Sequence, residues 1–148
     1  MNQIRITKEF RFEAAHALTG HDGLCKNIHG HSYLLSVTVA GIPVTDPASA
    51  KLGMVMDFGD LKKLVREHIV NPIDHALLLH EQSPLAFLRQ AEGPCENIIL
   101  LPYQPTSENL LLDFAKKIGS LLPDGIRLHS MRLRETETSY AEWFADDN

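Results

Sequence analysis

The sequence predicts an α+β fold, a four-stranded antiparallel sheet with two helices on one face. Two segments near the N-terminus alternate with period two, two central segments carry apolar residues at helical spacing, and two strand-like segments close the chain. The order strand, strand, helix, helix, strand, strand packs into two layers around one core. At 148 residues the chain suits a single domain, 1–148, and can bury that core without disulfide or metal staples.

Each element carries its own signal. From Ile4 to His16, Phe10, Phe12, Ala14 and His16 share one face, with Glu9, Arg11 and Glu13 opposite. A Gly-containing loop follows from Thr19 to Asn27. His29 to Ala40 is a second strand, rich in β-branched and aromatic residues, with Tyr33, Leu35, Val37 and Val39 on the face of His31. Pro43, Asp46 and Pro47 break it. Asp57 caps a helix to about His68, with Leu61, Leu64, Val65, His68 and Ile69 at buried spacing, and Asn71-Pro72 ends it. Between Ser83 and Leu101 the pattern is less regular, with a short helix predicted over Pro84 to Ala91 and a short strand over Asn97 to Leu101. Thr106 and Ser107 cap the second helix, whose stripe is Leu111, Phe114, Ala115, Ile118 and Leu122; Pro123 and Gly125 stop it. Ile126 to Glu135 and Ser139 to Phe144 complete the sheet. Its second face and its edges have nothing predicted to cover them, so assembly through the sheet into a homo-oligomer is expected.

Composition narrows the function classes. Hydrophobic residues make up 44% and charged residues 22%, as in ordinary globular proteins. A formal net charge of −5 gives no general attraction to nucleic acid or to anionic membrane. No apolar run approaches the roughly 20 residues of a membrane helix, and Met1 to Phe10 lacks a signal-peptide core. The only cysteines are Cys25 and Cys95, too few for a disulfide framework. A cytoplasmic protein is the expectation.

The chemistry concentrates in His16, Cys25, His29 and His31. His29 and His31 are two apart on a predicted strand, so their rings share a face. His16 ends the preceding strand and reaches that face if the two pair as a hairpin. Three converging imidazoles are the ligand set of a catalytic zinc with an open fourth position; cobalt, nickel, copper and iron also accept imidazoles. A fourth ligand from Cys25 would instead make a closed, structural site. Asp74-His75 is a second candidate, a carboxylate able to orient an imidazole, although such a dipeptide is also an ordinary loop. Glu135 follows Met131 and Leu133 on one strand face, as a solvent-facing strand end or a ligand anchor. His68 reads as a core residue, His21, His80 and His129 as surface groups, and Cys95 has no role.

Phe10-Arg11-Phe12-Glu13-Ala14-Ala15-His16 and Cys25-Lys26-Asn27-Ile28-His29-Gly30-His31 resemble the metal and nucleophile motifs of the pterin synthases. Met54 to Lys62, Asp74-His75-Ala76-Leu77, Pro105 to Leu110 and Arg134-Glu135-Thr136 continue in the family's order. That family includes 6-pyruvoyl- and 6-carboxytetrahydropterin synthases. The short interval from Cys25 to His29 is similar to the carboxy branch, which serves queuosine (7-deazaguanine) biosynthesis. A folate-linked branch places a glutamate near the cysteine, unlike Cys25 here. The departure is the long stretch from about Glu81 to Leu101.

The resemblance implies a tunnelling fold, in which subunits join their sheets into a barrel and barrels stack, commonly as a hexamer with sites at subunit interfaces. It implies 7,8-dihydroneopterin triphosphate as substrate and one zinc per chain on His16, His29 and His31. Cys25 would accept a proton, His75 oriented by Asp74 would relay protons, Glu135 would hold the pterin, and Thr106 would lie beside it. The carboxy branch releases acetaldehyde and triphosphate; the pyruvoyl branch eliminates triphosphate without losing carbon. A non-catalytic, zinc-stabilised oligomeric module is the alternative from another class.

Overall fold

The computed structural model describes residues 1–93 and 95–148. Its long strands are those that alternation predicts. Strand β1 (Ile4–His16) pairs antiparallel with β2 (His29–Gly41), which pairs with β5 (Ile126–Thr136), and β5 with β6 (Ser139–Phe144). The sheet, however, has six strands rather than four, in the order β4-β3-β1-β2-β5-β6. The two that join the expected four are β3 (Ala76–His80), parallel to β1, and β4 (Ile98–Leu101), the short strand expected over Asn97 to Leu101, parallel to β3. The sheet is therefore mixed.

Phe10, Phe12, Tyr33, Leu35, Val37, Val39, Met131 and Leu133 form the inner face, all nearly inaccessible. They share one cluster with Leu61 and Val65 of helix α1 (Phe58–Val65) and with Leu110, Leu111, Phe114 and Ile118 of helix α3 (Ser107–Gly119). Burying these apolar surfaces, at roughly 25 cal/mol per Å², is what holds the helices to the sheet. Both caps are made as the sequence predicts. The Asp57 carboxylate accepts from Gly59 N at 2.7 Å and the Thr106 hydroxyl from Asn109 N at 3.2 Å.

Four further expectations are corrected. Asn71-Pro72 does not end the first helix. After α1 the chain widens into a π turn, Arg66–Val70, and then makes the short helical turn α2 (Asn71–Ile73). In a regular helix the Pro72 ring would press on the carbonyl of His68; the wider turn lies just before it. The π turn also changes the phase of the helix, so His68 is exposed while Ile69 and Val70 are buried. The predicted helix over Pro84 to Ala91 is only a 3₁₀ turn, Ala86–Arg89. Finally, the second sheet face is not bare at the β3–β4 end, where Ala17, Leu77, Leu79 and Ile98 make a small core with Leu85 and Leu88 packed on it. No helix among the described residues is long and apolar enough to cross a membrane.

Candidate active site

The β1–β2 register sets His16 opposite His29 and Ala14 opposite His31. Alternation then puts all three imidazoles on the helix-covered face, at the end of the sheet. Their ring nitrogens lie within 4.8 Å of one another. His16 Nε2 is 2.9 Å from His29 Nε2 and 3.2 Å from His31 Nε2.

Hydrogen bonding at the far nitrogens explains why this cluster can hold a metal. His16 Nδ1 lies 2.7 Å from the Pro105 carbonyl oxygen and His29 Nδ1 lies 2.7 Å from that of Asn27. A carbonyl only accepts, so both Nδ1 atoms carry the hydrogen. In neutral rings both Nε2 atoms then present bare lone pairs across 2.9 Å, an arrangement that a cation relieves. Backbone acceptors behind ligating histidines are the usual way to fix ring and tautomer. Burial lowers the pKa of His16, against the Pro105 hydrogen bond that raises it, and His29 adds a further lowering. Burial likewise lowers His31, opposed by Glu135. Both rings are thus biased toward the neutral form that binds metal. Tyr33 lies fully buried behind them, stacked on Phe12 at 4.9 Å and edge-on to His31 at 5.5 Å between ring centres.

Glu135 reaches this cluster through an irregularity. Arg134 pairs with Tyr140 and Thr136 with Ser139, so Glu135 is an extra residue in the β5–β6 ladder. Such a bulge re-aims a side chain, and Glu135 Oε1 comes within 3.2 Å of His31 Nε2 and 3.4 Å of His16 Nε2. Burial biases both imidazoles toward the neutral form while Glu135 opposes it, so these contacts gain less from charge than exposed ion pairs of the same length would.

The Asp74–His75 pair has a different construction. His75 Nδ1 lies 3.0 Å from Asp74 Oδ1, and that oxygen also accepts from Glu13 N at 2.9 Å. His75 N–H in turn donates to Glu13 O at 2.6 Å. One β1 residue thus docks both. His75 has φ 62, the left-handed region, and is the only non-glycine with positive φ among the described residues. Left-handed backbone in a side-chain-bearing residue costs on the order of 1 kcal/mol or more. His75 opens on a cleft of about 390 Å³ that also takes in Glu13, Ser32, His31, Leu77 and Cys95.

Of the remaining candidates, Cys25 sits partly buried in a 3₁₀ turn, Leu24–Lys26, and is not in a disulfide. It is not in the group of mutually close ligand atoms, which disfavours a closed four-ligand site. Thr106 caps α3 directly after Pro105, the residue that anchors His16. Sequence reasoning missed the carbonyls of Pro105 and Asn27, the docking role of Glu13, and Gln104, whose carboxamide pairs with Thr19. It gave Cys95 no role, yet that thiol borders the same cleft as His75.

The chain is similar to proteins of known kind along almost its whole length. The Haemophilus influenzae 6-carboxy-5,6,7,8-tetrahydropterin synthase is 36% identical over 143 residues, covering 94% of this chain and 97% of that protein. The Synechocystis protein of the same description is 36% identical over 140 residues, covering 95% and 92%. The solved structure of Caenorhabditis elegans 6-pyruvoyl tetrahydropterin synthase superposes with a TM-score of 0.67 at 24% identity, covering 98% of this chain and 97% of that one, which speaks for the fold alone. With the family model of 6-pyruvoyl tetrahydropterin synthase matching residues 5–146, end-to-end similarity joins the three-imidazole site, and the chain belongs to the 6-pyruvoyl tetrahydropterin synthase family.

Proposed function

We propose that the protein is a 6-carboxy-5,6,7,8-tetrahydropterin synthase, a lyase that converts 7,8-dihydroneopterin triphosphate to 6-carboxytetrahydropterin with release of acetaldehyde and triphosphate, in queuosine (7-deazaguanine) biosynthesis. The observation that carries this reading is the 36% identity, nearly end to end, with relatives of that description. It takes residues 1–148 as one cytoplasmic domain that works as a homo-oligomer, a hexamer.

His16, His29 and His31 would hold one zinc per chain, the metal favoured by three neutral imidazoles and an open position. When bound, zinc supplies Lewis acidity, which makes side-chain hydroxyls and neighbouring C–H bonds of the substrate easier to deprotonate. Cys25 serves as proton acceptor. His75, oriented by Asp74, passes protons onward, and its exposure to the cleft supports that role. Glu135 holds the pterin, its two oxygens matching the exocyclic amine and a ring N–H. Thr106 lies beside the pterin.

The test is to incubate the metal-loaded protein with 7,8-dihydroneopterin triphosphate and identify the pterin and any acetaldehyde. Carboxytetrahydropterin with acetaldehyde supports the proposal. A pyruvoyl product without acetaldehyde assigns the protein to the other branch, and no turnover of a metal-replete oligomer overturns the catalytic reading.

A further inference from the structure

Residues 104–106 touch more functional elements than their length suggests. The Pro105 carbonyl accepts from His16 Nδ1 at 2.7 Å. Thr106 caps α3. Gln104 reaches across to the loop between β1 and β2, which carries Cys25: Thr19 N–H donates to Gln104 Oε1 at 3.0 Å, and Gln104 Nε2 donates to the Thr19 carbonyl at 2.8 Å. This reciprocal pair copies a strand bridge with a side chain. Gln104 is itself held, because its carbonyl accepts from Thr106 N at 2.8 Å and from Asn109 Nδ2 at 3.0 Å. Inside the loop, the residue before Thr19 passes the constraint on: Leu18 N–H donates to the Cys25 carbonyl at 2.9 Å.

We propose that Gln104 is a positioning residue whose carboxamide clamps the β1–β2 loop at Thr19 and so sets the Cys25 thiol relative to His16. It touches no reacting atom. Carboxamide is the neutral side-chain group that offers a donor and an acceptor side by side, as a pair to one peptide unit requires. Glutamate in its place keeps the acceptor, loses the donor and repels the Thr19 carbonyl. Leucine keeps the bulk and loses both. The inference rests on the role proposed for Cys25, but its geometry can be tested without substrate.

The experiment compares wild type, Gln104→Leu and Gln104→Glu as metal-loaded proteins. Alkylation by iodoacetamide is followed by peptide mass spectrometry, so that Cys95 is an internal reference. The expected result is severalfold faster alkylation of Cys25 in Gln104→Leu, a smaller increase in Gln104→Glu, and no change at Cys95 or in metal content. In turnover, kcat should fall by about 10²-fold, the size of effect a misplaced group gives, with KM little changed. Unaltered Cys25 alkylation in both variants overturns the proposal. So does an increase matched at Cys95 or accompanied by metal loss, which would mark general loosening. If wild type does not make the proposed product, the assigned function falls, while the alkylation result still decides the role of Gln104.

Discussion

The imidazole cluster and the Asp74–His75 pair use the same kind of side chain under opposite conditions. His16 is 1% exposed; the His75 side chain is 76% exposed. His16 and His29 are fixed from behind by main-chain carbonyls, whereas His75 is fixed by one neighbouring carboxylate on a left-handed backbone. A metal ligand must stay neutral and still, which burial and backbone anchors provide. A proton carrier must be reachable, which burial would prevent. Under the proposed function, the contrast separates a holding site from a relay within one chain.

The largest expected effect breaks the holding site. His29→Ala and His31→Ala should reduce bound metal from one per chain to a small fraction, while His75→Ala and Cys25→Ala remain loaded; elemental analysis of purified variants decides. Metal loss from Cys25→Ala would erase the contrast by making that thiol a ligand. Next comes the relay. Cys25→Ala and His75→Ala should each lower turnover by roughly 10²–10⁴-fold with metal intact. The double variant should lose much less than the product of the two, since groups in one proton path are not additive. Near-normal steady-state rates in either single variant would remove that residue from the path.

Smaller effects probe the two environments. The folded-state pKa of His16 is lowered by burial, so the unfolded chain takes up its proton first as pH falls. The stability this ring contributes is complete above its unfolded value of about 6.5 and is lost as pH drops below it. In metal-free protein, melting temperature should fall between pH 7.5 and 5, and His16→Gln should flatten that slope; an unchanged slope would point to another group. Smallest of all, His75→Gly should be more stable than His75→Ala by about 1 kcal/mol, because glycine adopts φ 62 without strain. Equal denaturant midpoints would mean that the left-handed turn stores nothing.

What could be read from sequence followed period and capping. Strict alternation in β1 and β2 fixed the face of His16, His29 and His31, and Asp57 and Thr106 announced both helix starts. Strand β3 escaped because Ala76–Leu79 is buried on both faces. An unbroken apolar run lacks the alternation that marks a half-buried strand, so β3 went unread, and without it the short strand expected over Asn97 to Leu101 had no neighbour through which to join the sheet. His68 was misplaced because a π turn inserts a residue that helical spacing does not anticipate. In the site, the residue types of the imidazole cluster were legible, but its anchors were not. Main-chain carbonyls have no residue signature, and Gln104 meets Thr19 across 85 positions of chain. The left-handed turn at His75 was equally silent, since glycine and asparagine are the residues that advertise it.

The acceptors behind His16 and His29 belong to the backbone of Pro105 and Asn27, and that has a consequence for how mutations act. No side-chain replacement at either position deletes a carbonyl, so the tautomer lock is robust to drift in sequence as long as the local chain path survives. Alanine scanning removes neither acceptor, so any effect it has at these positions comes through the chain path, such as loss of the hydrogen bond from the Asn27 carboxamide to the Leu24 carbonyl. Only a change in the atoms of the main chain, an ester in place of the amide whose carbonyl accepts the proton, would weaken the anchor and reveal how firmly the imidazoles are held.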